Sequence, residues 1–219
     1  GEPKSEVDSL LLAEFAAASL LICAGAPLGR LKMSQYLLLA LIFTPCYMIN
    51  EWILLESGLG LIPHGGFVDT GGSILIHAFG ALFGLGVIMN MTTKEEFATP
   101  VESDHTSDQF SMLGSMVLWL FWPSFCAGLV EPGLVPFTAV NVFLALCGAT
   151  IATYFVSSTL RGKIAIGDVA NAALAGGVAV GATCDTASHH TAFIIGILAG
   201  ALSTIGFVAI QPILQNKIK

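Results

Sequence analysis

Two titratable residues stand where a membrane makes them expensive. In 68-VDTGGSILIHAFGALFGLGVI-88, Asp69 opens an apolar stretch and His77 lies inside it. A helix starting near residue 70 carries His77 about 10 Å into the apolar layer, at 1.5 Å per residue. Ionisable groups at such depth usually face a bundle interior or a cavity. A neutral imidazole there can donate or accept a hydrogen bond, so it can replace water for a small polar guest. Asp69 precedes Gly71 and Gly72. Its carboxylate can cap the helix N-terminus, and it can also favour a cation at the mouth.

Other residues join this set. Glu14, followed by Phe15, opens the first apolar run, and Glu51 sits late in the second. In 119-WLFWPSFCAGL-129, Pro123 removes a helical hydrogen bond and can bend the chain near Phe125. An aromatic ring placed that way can plug a narrow pore, or anchor at the membrane boundary. Cys23, Cys46, Cys126, Cys147 and Cys184 fall in or beside apolar stretches without a CxxC or His/Cys cluster. They read as packed thiols. No metal or cofactor is expected, and no covalent catalysis, so the chain does not read as an enzyme.

The elements that must hold these residues are membrane helices. Charged residues make up 11% of the 219-residue chain, against about 25% in soluble domains, and mean hydropathy is +0.83. Seven apolar segments run near 9–28, 35–57, 70–92, 109–130, 136–160, 168–184 and 190–213. Most are near the roughly 20 residues that span a bilayer. An all-α, polytopic transmembrane bundle follows, read as a single domain over 1–219 with a polar, mobile loop at 93–108. Alternating the segments across a bilayer puts Arg30, Lys32, Lys94, Arg161, Lys163, Lys217 and Lys219 on one side, and only Lys4 on the other. That bias marks the cytoplasm-like side. The N-terminal stretch 1-GEPKSEVDSL-10 has no basic region of the kind a signal peptide carries. With net charge −7 and no basic patch, no nucleic acid is expected. Small-residue stretches such as 16-AAAS-19, 171-NAALAGGVAVGA-182 and 196-GILAGALSTIG-206 let helix backbones approach closely.

These motifs resemble the ammonium transporter family, Amt/Rh, and its Rh branch most closely. The stretches are 13-AEFAAASLLICAGAPLG-29, 69-DTGGSILIHAFGALFGL-85, 118-LWLFWPSF-125, 171-NAALAGGVAVGA-182 and 194-IIGILAGALSTIGF-207. They stand in the family's order across about 200 residues. The resemblance implies a homotrimer in which each subunit has its own hydrophobic pore. Ammonium is recruited at an outer vestibule and loses its proton. Ammonia then passes two stacked phenylalanines and two facing histidines, and carbon dioxide is discussed as a further guest of the Rh branch. By motif, Phe15 and Phe125 match the gate aromatics and His77 the first pore histidine. Asp69 matches the aspartate near the recruitment site, and Glu14 stands where Rh proteins carry an acid. The family's usual setting implies a plasma membrane, with an organellar inner membrane as the other option.

The resemblance covers the third to the ninth family helix. Helices one and two, and the helix bearing the second pore histidine, have no counterpart here. His189 and His190 are read as loop residues and lack the motif around that histidine. Three origins follow: a part of a longer transporter, a subunit completed by another polypeptide, or a decayed, non-transporting structural subunit of a larger membrane complex.

Overall fold

The computed structural model describes residues 6–93, 95, 104–128 and 130–218, with side chains to residue 214 in the last helix. They form two compact units, one within residues 1–100 and one within 101–219. The described residues are helical with short connections, and six helical stretches are long and apolar enough to cross a membrane. The protein is an integral multi-pass membrane protein. Its large apolar side chains point outward in numbers, for example Leu21, Leu41 and Leu198, each at least 65% exposed. A surface of that kind suits lipid, where water would not tolerate it.

The first unit holds three long helices. α1 spans Glu6–Gly25 and α2 spans Met33–Leu55. A π-helical stretch, Ser73–Ala78, runs directly into α3, Phe79–Met91. Glu6 and Asp8 occupy the first turn of α1, where the helix dipole favours negative charge. The α1 backbone lies against α3 at two glycines. A Cβ on Gly80 would stand 2.6 Å from the Ser19 carbonyl oxygen, and one on Gly84 would stand 2.8 Å from that of Cys23. Phe43, Tyr47, Phe79 and Phe83 fill the space between α2 and α3, with ring centroids 5.0 to 6.2 Å apart. Edge-to-face pairs at such spacings are the favoured aromatic geometry.

The second unit is built around α5. α4 spans His105–Ala127 and α5 spans Val135–Arg161. Two short helices follow, α6 at Ile166–Ala172 and α7 at Ala175–Gly181. α8 covers His189–Ile205 and continues through a second π-helical stretch, Gly206–Ile210, into α9, Gln211–Ile218. α5 and α8 pack along their lengths through small residues. A Cβ on Gly196 would stand 2.1 Å from the Ala145 carbonyl oxygen, and one on Gly200 would stand 2.4 Å from that of Ala149. Trp122, Cys126, Val142, Leu146, Val180 and Cys184 close the core beside this seam. All five cysteines are free thiols.

Two caps set the helix starts in this unit. The Asp104 carboxylate accepts the Ser107 N–H at 2.7 Å, and the Ser107 hydroxyl donates to it as well. These donors hold the exposed Asp104 carboxyl below the usual carboxylate range. The Ser188 hydroxyl accepts the Thr191 N–H at 3.2 Å and opens α8.

Several boundaries differ from those expected. The segment read as 168–184 is broken at residues 173–174, and Ile166–Gly181 is shorter than a full span. α4 starts at His105, so 105–108 leave the expected loop for the helix, while most of 93–104 lies outside the described residues. His189 and His190 are not loop residues but the first turn of α8. The third span starts at Ser73 instead of near 70, so His77 lies within its first turn.

Candidate functional site

Asp69 is a helix cap. Its Oδ1 accepts the Ser73 N–H at 2.7 Å, and its Oδ2 accepts those of Ile74 and Leu75 at 2.8 and 2.7 Å. The residue is 8% exposed. Three of the backbone donors that a helix N-terminus leaves unpaired therefore end on one carboxylate. The turn that permits this uses Gly72, which has φ +71°, a left-handed value that side chains rarely adopt. Of the two roles open to Asp69, the geometry carries capping directly, and its charge remains next to the mouth of the span.

His77 sits in the π-helical stretch that this cap begins. The Gly72 carbonyl oxygen accepts the backbone N–H groups of Ile76 and His77, each at 3.1 Å. It also lies 3.0 Å from His77 Nδ1. A carbonyl can only accept, so Nδ1 carries the proton and donates. In the neutral ring Nε2 is then the acceptor nitrogen, and the tautomer follows from the backbone turn beneath it. π-Helical turns inside α-helices recur at functional sites. Here the turn fixes the direction and the hydrogen-bonding character of one imidazole.

The other helices of the unit reach the same turn. The Ser19 hydroxyl, wholly buried on α1, donates to the Ile76 carbonyl oxygen at 2.8 Å. The Asn50 side-chain amide, on α2, donates to the Leu75 carbonyl oxygen at 3.1 Å. Neither residue is singled out by the sequence. Ser19 reads there as one small residue among many, and Asn50 as the neighbour of Glu51. An amide within an apolar run was the signal available.

The remaining expected residues fall as follows. Phe15 is buried on α1, and its neighbour Glu14 is exposed. α1 starts at Glu6, so Glu14 lies eight residues into the helix instead of at its opening, about 12 Å along the axis. Phe125 belongs to the second unit. It follows Pro123 within α4, is half-buried, and meets Trp122 at 6.4 Å between ring centroids. The structure thus gathers Asp69 and His77 on one turn of the first unit. Among the described residues no group of three or more His, Cys, Asp or Glu side chains is arranged to hold a metal.

Comparison with known proteins gives a consistent result. The sequence profile of the Ammonium Transporter Family matches residues 4–219. Ammonium transporter Rh type C of Xenopus laevis is 36% identical over 97% of this chain, which spans 45% of that relative. Ammonium transporter Rh type B of Oryzias latipes is 39% identical over 97% of this chain and 46% of its own. This chain therefore spans about half the length of the curated relatives it matches. A solved structure of Nitrosomonas europaea Rh50, a channel of the Rhesus protein family, superposes with a TM-score of 0.93. It is 57% identical, over 96% of this chain and 55% of that one.

Proposed function

The chain belongs to the ammonium transporter family, and from that premise we propose that it forms part of an Rh-type ammonium/ammonia channel in which His77 lines the pathway. The observation that carries this reading is the His77 ring itself. It lies within a membrane span, and its Nδ1 proton is committed to the Gly72 carbonyl. In the neutral ring this leaves Nε2 with acceptor character, which matches the N–H donors of ammonia. The bare ammonium ion would have to surrender its hydration to enter an apolar tube, at a cost of many kcal/mol. Passage as neutral ammonia avoids that cost, so a proton must be left at the mouth.

In this reading Asp69 supplies negative potential at the mouth while its oxygens hold the helix start. Glu14 adds a second acidic charge on α1. Phe15 and Phe125 act as the gate aromatics that exclude water and ions. No covalent step is involved. The same reading carries a homotrimer, carbon dioxide as a further guest, lipid around the bundle, and a plasma membrane location. The alternative of a non-transporting structural subunit finds no support among these relatives.

Ammonia flux into lipid vesicles, followed by a pH-sensitive dye, tests the proposal in the whole natural protein. His77→Ala and Phe125→Ala should each alter flux while leaving a folded protein. Unchanged flux in both variants sinks it.

A further inference from the structure

We propose that Ser19 and Asn50 are positioning residues for His77, acting through the backbone of the π-helical turn. The inference rests on the pore-lining reading of His77 for its functional meaning. Its structural content stands on hydrogen bonds alone.

A helix that changes from π to α spacing moves from i→i+5 to i→i+4 hydrogen bonds. At the change, one carbonyl is passed over and has no helical N–H to accept. In an apolar layer such a carbonyl needs another donor, because no water is there to supply one. The change here falls between the π-helical Ser73–Ala78 and α3, which begins at Phe79. The Phe79 N–H reaches back both to the Ile74 carbonyl, five residues away, and to the Ile76 carbonyl. The Leu75 carbonyl, which lies between those two, receives a side-chain donor from another helix, and the Ile76 carbonyl receives one in addition to the Phe79 N–H. Asn50 serves Leu75 at 3.1 Å and Ser19 serves Ile76 at 2.8 Å. Both donors arrive where the helical pattern shifts, next to His77 in sequence.

Close packing brings the Ser19 donor within range. Its own carbonyl oxygen lies where a Cβ on Gly80 would be, 2.6 Å away. With α1 held that close to α3, the Ser19 side chain reaches across to the turn. Without the two donors, the α-helical register becomes the better-satisfied one. His77 would then lose the five-residue return to Gly72, and with it the Nδ1 contact to the same carbonyl. The ring would swing away and its tautomer would no longer be fixed.

The test reads the ring directly. Solid-state 15N spectra of His77 in the whole protein, in lipid, distinguish the Nδ1-protonated tautomer from its counterpart. The native protein and Ser19→Thr, which keeps the hydroxyl, should show the Nδ1-protonated form. Ser19→Ala and Asn50→Ala should show a mixture of tautomers. Where the path is used for ammonia, their flux should fall about tenfold, in keeping with what small misplacements of a working group cost. If Ser19→Ala does not fold, Asn50→Ala alone decides. Native His77 spectra in the folded Ala variants overturn the proposal. The spectra do not depend on transport. Full flux in His77→Ala would defeat the pore-lining reading, while the tautomer result would still decide whether Ser19 and Asn50 position the ring.

Discussion

Asn141, wholly buried in α5, meets the ring of His189 at the start of α8, with Oδ1 2.6 Å from Nδ1. The amide of Asn141 also donates to the carbonyl oxygens of Cys184 and Ala187 at 2.9 and 2.7 Å. Those two bonds fix which end of the amide is oxygen, so His189 must donate from Nδ1. Phe137 lies beside the ring, tilted by 35°, with centroids 4.9 Å apart. One asparagine thus ties α5 to the turn before α8 and to its first residue.

Replacing Asn141 with Leu removes both donors and leaves the buried Cys184 carbonyl and the half-buried Ala187 carbonyl to find others. The second unit should lose about 1–3 kcal/mol, the usual cost of stranding a buried polar group. Denaturant titration in detergent reads it. His189→Ala, which leaves the carbonyls served, should cost clearly less. Equal losses would place the strength of the link in the ring.

The seam between α5 and α8 gives a second expectation. Gly196→Ala forces a methyl against the Ala145 backbone, where a Cβ would stand 2.1 Å from the carbonyl oxygen. Backbone cannot step aside as a flexible side chain can, so the loss should be at least about 1–3 kcal/mol, the range for overpacking a close contact. Gly86→Ala is the control, since nothing lies within 4 Å of the site. It should be neutral or slightly stabilising. Melting temperatures of the two variants decide the matter.

Arg161 and Asp168 form a third test. The guanidinium donates twice to the carboxylate, from Nε at 2.7 Å and from Nη2 at 3.0 Å. The Ser157 hydroxyl donates to the same carboxylate at 2.7 Å. Asp168 is 3% exposed and closes the end of α5 onto α6. Arg161→Lys keeps the charge but loses the paired donor geometry, and should cost about 1 kcal/mol. Asp168→Ala strands the other groups and should cost more. Protease sensitivity of the 162–165 connection should rise in the same order.

Asp69 separates capping from charge. Asp69→Ala removes the acceptor for three N–H groups and should destabilise the first unit by about 2 kcal/mol, the upper range for losing a cap. Asp69→Asn keeps one acceptor oxygen and removes the charge, so its loss should be smaller. If Asp69→Asn remains nearly as stable as the native protein but carries little ammonia, the charge matters to the pathway separately from the cap.

The spans were legible because charge is scarce and the apolar runs are long. The capping role of Asp69 was legible too, since an acid just before an apolar run suits a helix start. The start of α1 was placed late because the apolar pattern begins after Glu6 and Asp8, although acids suit a first turn. The start of α8 had a signal as well: Ser188 stands three residues before Thr191. The break at 173–174 was hidden in a uniformly small, apolar stretch that carries no marker of where a helix stops. The π-helical turn was not legible. Its register depends on donors at Ser19 and Asn50, which are 57 and 25 residues from the carbonyls they serve.

A π-helical turn is equivalent to one additional residue lodged in an α-helix. The stretch from Asp69 to Phe79 should therefore be unusually sensitive to length. Deleting one residue there would let the span close as an ordinary α-helix, and everything before the deletion would rotate by about 100° against α3, at 3.6 residues per turn. Composition would barely change, and hydropathy would still mark a span. Yet the acid at its head would turn from the backbone it caps, and the imidazole would address a different wall of the bundle. For this segment, the number of residues carries as much information as their identity.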